Sequence, residues 1–116
     1  MSHEVRIGRL LELADGVAQR VEDGAVALCV VRCGEAVFAI EDVCSHEDYP
    51  LSVGEVVVEE CAIECFKHGS LFSLATGEPL TFPATRPVAV FPVTISDGEV
   101  VVEVPDSAEE MDGVTR

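Results

Sequence analysis

Ala25-Val26-Ala27-Leu28-Cys29-Val30-Val31-Arg32-Cys33-Gly34-Glu35-Ala36-Val37-Phe38-Ala39-Ile40 sets an apolar, β-branched run and a second apolar run on either side of a glycine-bearing turn. That arrangement reads as a β-hairpin turning at Cys33-Gly34. The same rhythm extends outward in both directions. Further turn signals stand at Asp15-Gly16, Asp23-Gly24, Thr76-Gly77-Glu78-Pro79 and Asp97-Gly98, with alternating or β-branched segments between them. Asp97-Gly98 supplies the positive φ angles of a tight primed turn and pairs Phe91 to Ile95 with Glu99 to Val104. Strands are expected near Leu10 to Leu13, Val17 to Val21, Ala25 to Arg32, Ala36 to Ile40, Ala62 to Cys65, Leu71 to Ser73, Val88 to Ile95 and Glu99 to Val104. No segment of ten or more residues keeps a 3.6-residue apolar period, so helices should be short and peripheral. The fold class is all-β.

A chain of 116 residues with 48% hydrophobic residues suits one domain whose core needs no disulfides. Its longest apolar run, Ala25 to Val31, is far short of the ~20 residues that cross a bilayer. Met1-Ser2-His3-Glu4 has neither the basic nor the apolar stretch of a secretory signal, so a cytoplasmic location is expected. With 22 acidic and 7 basic residues the formal charge is −15. Such a surface repels nucleic acid and anionic lipid and favours docking onto basic protein surfaces, besides promoting solubility. After Val104 the sequence becomes polar and acidic, which predicts a domain over 1–104 and a disordered tail over 105–116.

Five cysteines are an odd count, and a reducing compartment disfavours structural disulfides, so spacing decides their role. Cys44-Ser45-His46 and Cys65-Phe66-Lys67-His68 place a thiol and an imidazole together twice, 18 residues apart, using two of the three histidines. Two buried cysteines beside incidental histidines would be the bland account. A Cys₂His₂ zinc site is chemically suitable, although C-x-H is shorter than usual zinc spacings. A redox cluster is the third. The first motif lies in an interruption of the strand pattern, Glu41 to Gly54. A second interruption, Glu78 to Pro87, holds three of the six prolines, and long ordered loops of this kind often carry function.

The pairs in C-x-H and C-x-x-H spacing, with Gly69-Ser70 after the second histidine, resemble the ligand motifs of Rieske ferredoxins. The resemblance runs from about Val5 to Val104 and includes Gly77-Glu78-Pro79, Pro83-Ala84-Thr85 and Phe91-Pro92-Val93. Within that family the chain is similar to the small bacterial ferredoxins of ring-hydroxylating dioxygenases. It is also similar to relatives associated with SUF-type iron–sulfur assembly, which share the run Cys61-Ala62-Ile63-Glu64-Cys65.

The resemblance implies an antiparallel β-sandwich or barrel with a cluster-binding subdomain. It implies one [2Fe–2S] cluster, with Cys44 and Cys65 on one iron and His46 and His68 on the other. The implied partners are a flavoprotein ferredoxin reductase and a terminal oxygenase or other acceptor. An oxygenase itself needs a mononuclear iron held by two histidines and a carboxylate. Only His3 is left over, so the chain is expected to carry electrons and not to catalyse. A cofactor-free binding module is disfavoured because all four ligand positions are filled.

Two thiolates cancel the +2 charge of an oxidised [2Fe–2S] core where four would leave −2, so reduction is easier. Such centres span roughly −150 to +300 mV, tuned by hydrogen bonds to sulfur. High-potential members carry an extra disulfide between the two loops and a tyrosine after the second motif. Here those positions hold Tyr49, Lys67 and Phe72, which implies the low end of the range. Phe66 stands where many relatives have proline.

The remaining candidates read more plainly. Cys29 in its apolar strand is expected to be a small buried hydrophobe. Cys33 at a turn and Cys61 four residues before Cys65 are expected to have no redox role, although exposure would make Cys33 reactive. His3 is expected to be solvated at a loose start. Pro83-Ala84-Thr85 is implied to cover the cluster from a third side. Ser70 is placed to bond a bridging sulfide or to cap its turn.

Overall fold

The structure is a computed structural model that describes residues 2–23, 26–44, 49–67 and 69–105. Ten strands form in the described residues: β1 (Ser2–Arg9), β2 (Ala18–Asp23), β3 (Val26–Cys33), β4 (Ala36–Glu41), β5 (Glu55–Val57), β6 (Ala62–Glu64), β7 (Leu71–Ser73), β8 (Val90–Phe91), β9 (Val93–Ser96) and β10 (Glu99–Pro105). They make three antiparallel sheets, ordered β1-β10-β9, β2-β3-β4-β8 and β5-β6-β7. The all-β expectation holds. Among the described residues none of the three sheets closes on itself.

The hairpin that opened the sequence argument is the middle of the fold. Along β3, Leu28 and Val30 face one apolar core, while Cys29 and Val31 face another. Side chains alternate across a strand, so a strand buried on both faces must be apolar at every position. That explains the unbroken run to Val31. One core joins β3 and β4 to Val100, Val102 and Val104 of β10 and to Phe91 of β8. The other joins Cys29, Val31 and Ile40 to Ile63 of β6, Phe72 of β7 and Leu51. Each fully buried Leu, Ile or Phe contributes roughly 1.5–3 kcal/mol of transfer free energy. The third sheet is therefore seated on the middle one by apolar burial.

Both expected hairpins form. β3 turns into β4 through Gly34-Glu35, with Cys33 opposite Ala36. β9 turns into β10 through Asp97-Gly98, whose φ angles of 52° and 79° meet the requirement of a primed turn.

Four expectations are corrected. Residues Leu10 to Leu13 are not a strand: Leu10–Glu12 is a 3-10 turn that leaves Leu11 85% exposed. Leu10 and Leu13 still pack, partly buried, against the core of β3, β4 and β10, so the apolar letters mark a core-facing turn rather than a strand. The start of the chain is not loose, because β1 pairs along the length of β10, from Ser2 opposite Pro105 to Arg9 opposite Glu99. His3 there is exposed, as expected, and lies 2.5 Å from the Asp23 carboxylate. The expected strand Val88 to Ile95 is split at Pro92, which has no N–H to give a ladder. Its halves join different sheets, β8 beside β4 and β9 beside β10. Finally, β5 and the 3-10 turns Leu51–Val53 and Val58–Glu60 were not expected.

No helix among the described residues is long and apolar enough to cross a membrane. β10 runs to Pro105, and the acidic segment expected as a tail lies from 106 onward outside the described residues.

Candidate metal centre

The two motif cysteines start two loops that are closed in the same way. The Cys44 N–H donates to the Tyr49 carbonyl at 2.8 Å, and the Cys65 N–H donates to the Ser70 carbonyl at 2.8 Å. In each case the partner is five residues on. The second loop is tightened further by the Gly69 N–H donating to the Cys65 carbonyl at 2.8 Å, with Gly69 at φ +74°. A left-handed residue there lets the chain reverse within so few residues. Cys44 follows β4 by a short link, and Cys65 directly follows β6, so each loop is rooted in a sheet.

The loops lie against each other. Tyr49 of the first stacks on Phe66 of the second, with ring centroids 6.4 Å apart and planes 14° apart. The Lys67 ammonium sits 5.9 Å from the Tyr49 ring centroid. Such contacts are worth roughly 0.5–1.5 kcal/mol each. Positions 49 and 67, which hold no cysteines for an inter-loop disulfide, are thus joined by a cation over a ring. Cys44 and Cys65 are 1% and 0% exposed and belong to one apolar cluster with Phe72 and Ala84.

His46 and His68 lie outside the described residues. In sequence, His46 falls between Cys44 and Tyr49 and His68 between Cys65 and Ser70, so each belongs to one of the two closed loops.

Two further sequence expectations find a place. Ser70 is fully buried, and its Oγ accepts a hydrogen bond from the Ala84 N–H at 3.0 Å. The segment Pro83-Ala84-Thr85 is thereby tied to the second loop, with Ala84 in the cysteine cluster and its two neighbours exposed. Leu80 and Thr81 pin the same segment to β7, the Leu80 N–H donating to the Leu71 carbonyl at 2.6 Å and Thr81 Oγ1 accepting from the Leu71 N–H at 2.9 Å. Cys29 is fully buried as expected, and that burial pushes its thiol well up, aided by the Asp42 charge.

Asp42 is the residue sequence reasoning missed. Its side chain is 0% exposed and accepts from Arg20 Nη1 at 2.8 Å, the Ser52 N–H at 2.7 Å and Ser52 Oγ at 2.6 Å. It therefore links β2, the end of β4 and the turn Leu51–Val53 that follows the first loop. The available signal was an acidic pair, Glu41-Asp42, at the end of an apolar strand two positions before Cys44. Nothing local named Arg20 as its partner.

Two buried thiols heading two adjacent loops, each loop carrying one histidine in sequence, are a soft-and-borderline donor set that fits a mixed cysteine/histidine iron–sulfur cluster. Comparison with known proteins agrees. The family model described as the Rieske [2Fe-2S] domain matches residues 3–92. The ferredoxin subunit of anthranilate 1,2-dioxygenase from Burkholderia cepacia is 42% identical over 90 residues, covering 78% of this chain and 81% of that one. Ferredoxin CarAc of Metapseudomonas resinovorans is 39% identical over 92 residues, covering 78% and 84%. The ferredoxin of carbazole 1,9a-dioxygenase from Nocardioides aromaticivorans superposes with a TM-score of 0.83 at 33% identity, covering 85% of this chain and 95% of that one. The chain belongs to the Rieske [2Fe–2S] domain family, as one of its small electron-carrying ferredoxins rather than a catalytic oxygenase.

Proposed function

We propose that Cys44, His46, Cys65 and His68 hold one [2Fe–2S] cluster and that the chain passes single electrons from a flavoprotein ferredoxin reductase to the terminal oxygenase of a ring-hydroxylating dioxygenase. The observation that carries this reading is the pair of identically closed loops, each headed by a buried cysteine and stacked on the other. A cluster held by those residues would supply reversible one-electron chemistry. The chain's own residues do the rest. The apolar cluster around Cys44 and Cys65 keeps water from the sulfurs, and the backbone bonds fix the loops so that little must move as charge changes. Ser70, already accepting from Ala84, keeps its hydroxyl proton to donate toward the cluster.

The β5-β6-β7 sheet with the two loops serves as the cluster-binding subdomain, and the other two sheets form a sandwich beneath it. Residues 1–104, with Pro105 completing β10, act as the electron-carrying domain and the acidic residues after it as a tail, in a cytoplasmic protein. Phe66, between the two ligand positions of its motif, is 71% exposed and marks the loop tip as the face presented to partners. Charge complementarity to that acidic chain makes association salt-sensitive. With NADH and the flavoprotein reductase of a ring-hydroxylating dioxygenase, the visible absorption of the cluster should bleach, at a rate that falls as salt is added. Absence of reduction by such reductases would contradict the assignment.

The midpoint potential belongs at the low end of the roughly −150 to +300 mV span. Phe72 is fully buried in the cluster that holds Cys44 and Cys65 and has no hydroxyl to offer a sulfur. Phe72→Tyr should raise the midpoint in a redox titration, because a donor to a cysteine sulfur stabilises the reduced form. A wild-type midpoint well above zero would refute the low-potential reading.

A further inference from the structure

The loop that begins at Cys44 is closed twice. The inner closure is the Cys44 N–H donating to the Tyr49 carbonyl. Just outside it, Asp42 Oδ1 accepts from the Ser52 N–H at 2.7 Å and Asp42 Oδ2 from Ser52 Oγ at 2.6 Å. Oδ2 also accepts from Arg20 Nη1 at 2.8 Å. Three donors on two oxygens suit an ionised carboxylate, which can only accept. Two peptide units separate Asp42 from Cys44, which holds their Cα atoms within roughly 7 Å of each other. A buried negative charge therefore stands at the root of the first metal loop.

Arg20 reaches that charge from the edge of the middle sheet. It stands opposite Cys29 in the β2–β3 ladder, and directly opposed residues project to the same face of a sheet. Cys29 belongs to the apolar cluster that holds Cys44 and Cys65, so Arg20 leaves β2 on the face turned toward them. The two halves of the pair are not solvated alike. The Asp42 side chain is 0% exposed and that of Arg20 39%. The guanidinium also donates to Glu22 Oε2, from Nε at 3.3 Å and Nη2 at 3.1 Å. Water and Glu22 thus screen the cation, while the carboxylate is held in the interior, where a charge acts with less screening. The pair consequently acts on the metal loops as a net negative charge. Cys29 registers it, its thiol being pushed up by burial and then by Asp42.

We propose that Asp42 and Arg20 set the midpoint potential of this ferredoxin in opposite senses, Asp42 lowering it and Arg20 limiting the decrease. The proposal rests on the assignment of one [2Fe–2S] cluster to Cys44, His46, Cys65 and His68. Two thiolates cancel the +2 of the oxidised core, so reduction adds one negative charge to a neutral centre. A carboxylate nearby opposes that addition, and a guanidinium favours it. Because the carboxylate is the buried half, its effect is the larger, and the balance pulls the potential down. The potential decides which donors can reduce the chain and which acceptors it can reduce. Asp42 and Arg20 therefore bear on the choice of redox partners without touching one.

The test compares the full cluster-loaded chain with Asp42→Asn, Arg20→Gln and Glu22→Gln, by iron and sulfide analysis and by potentiometric titration of the visible absorption at one pH and ionic strength. Asp42→Asn should titrate above the wild type and Arg20→Gln below it, by the smaller shift. Glu22→Gln removes the same charge as Asp42→Asn, but from a side chain 72% exposed, and should move the midpoint least. Opposite signs are what a merely structural role would not produce, since both variants break the same ion pair. The proposal is overturned by shifts of one sign in Asp42→Asn and Arg20→Gln, by an unmoved midpoint in Arg20→Gln, or by a Glu22→Gln shift equal to that of Asp42→Asn, which would make net charge the cause. Should Asp42→Asn fail to keep its cluster, the other two decide: a lowered midpoint in Arg20→Gln with a smaller change in Glu22→Gln supports the proposal. A wild-type chain without iron and sulfide would overturn the cluster assignment and this proposal with it, whereas loaded variants with unmoved midpoints would overturn this proposal alone.

Discussion

Cys65→Ala should yield a chain that folds but retains no iron or sulfide and shows none of the visible absorption of the wild type. Cys65 is fully buried, and so is Cys29, which makes the two a controlled pair. If burial alone explained both, their alanine variants would behave alike. Cys29 sits inside β3 opposite Arg20 and Ile40 and heads no loop, with its thiol pushed up by desolvation and held neutral. Cys65 heads a closed loop that bears a histidine and stacks on a second loop of the same kind. Cys29→Ala should keep its full iron content and lose only packing. Loss of an outer-shell partner typically weakens a metal site 10- to 100-fold, so loss of a ligand in Cys65→Ala should exceed roughly 100-fold. Iron and acid-labile sulfide analysis of the two variants side by side decides the matter. Equal iron in both would remove Cys65 from the ligand set.

Asp42→Ala is the substitution expected to damage the fold most while touching no ligand. The carboxylate is wholly buried and satisfies three donors from two elements: Arg20 in β2, and both the N–H and the hydroxyl of Ser52. Its removal leaves Ser52 donors unmatched in the interior and Arg20 without its buried partner. A loss of about 3 kcal/mol is expected, at the lower bound for breaking a buried pair because Arg20 is 39% exposed and can turn to water. Denaturant unfolding of the cluster-loaded protein measures it. Because the first loop is anchored through Ser52, cluster release should accelerate along with unfolding. A change smaller than about 0.5 kcal/mol, the size of an ordinary surface substitution, would show that the network does not hold the loop.

The strands that sequence reading located are those whose own side chains carry the signal. β3, β4 and β10 alternate or stay apolar because they line cores, and the Gly34 and Gly98 turns need backbone angles that few residues adopt. β1 could not be found that way. Ser2 to Arg9 is largely exposed and polar, and it is a strand because β10 offers it an edge of backbone donors and acceptors. Leu10-Leu11-Glu12-Leu13 misled because Leu10 and Leu13 reach the core from a 3-10 turn, so apolar letters did not mean a strand. The split at Pro92 was readable in principle, since proline cannot serve a central ladder.

The two Cys/His pairs stood out as ligand candidates because ligand chemistry concentrates in residue type and spacing. The supports around them were not. Asp42 with Arg20 and Ser70 with Ala84 are partners 22 and 14 residues apart, brought together only by the tertiary fold. A charged or reactive residue shows in a sequence, but its partner across the fold does not.

The central claim is that this chain carries a mixed cysteine/histidine [2Fe–2S] cluster, and one preparation tests it. The purified protein is analysed for iron, acid-labile sulfide and zinc, then reduced with dithionite and examined by low-temperature EPR. The account predicts two irons and two sulfides per chain, as the Rieske [2Fe-2S] family requires, with a low average g value after reduction. One zinc per chain without sulfide, and no signal on reduction, would contradict it.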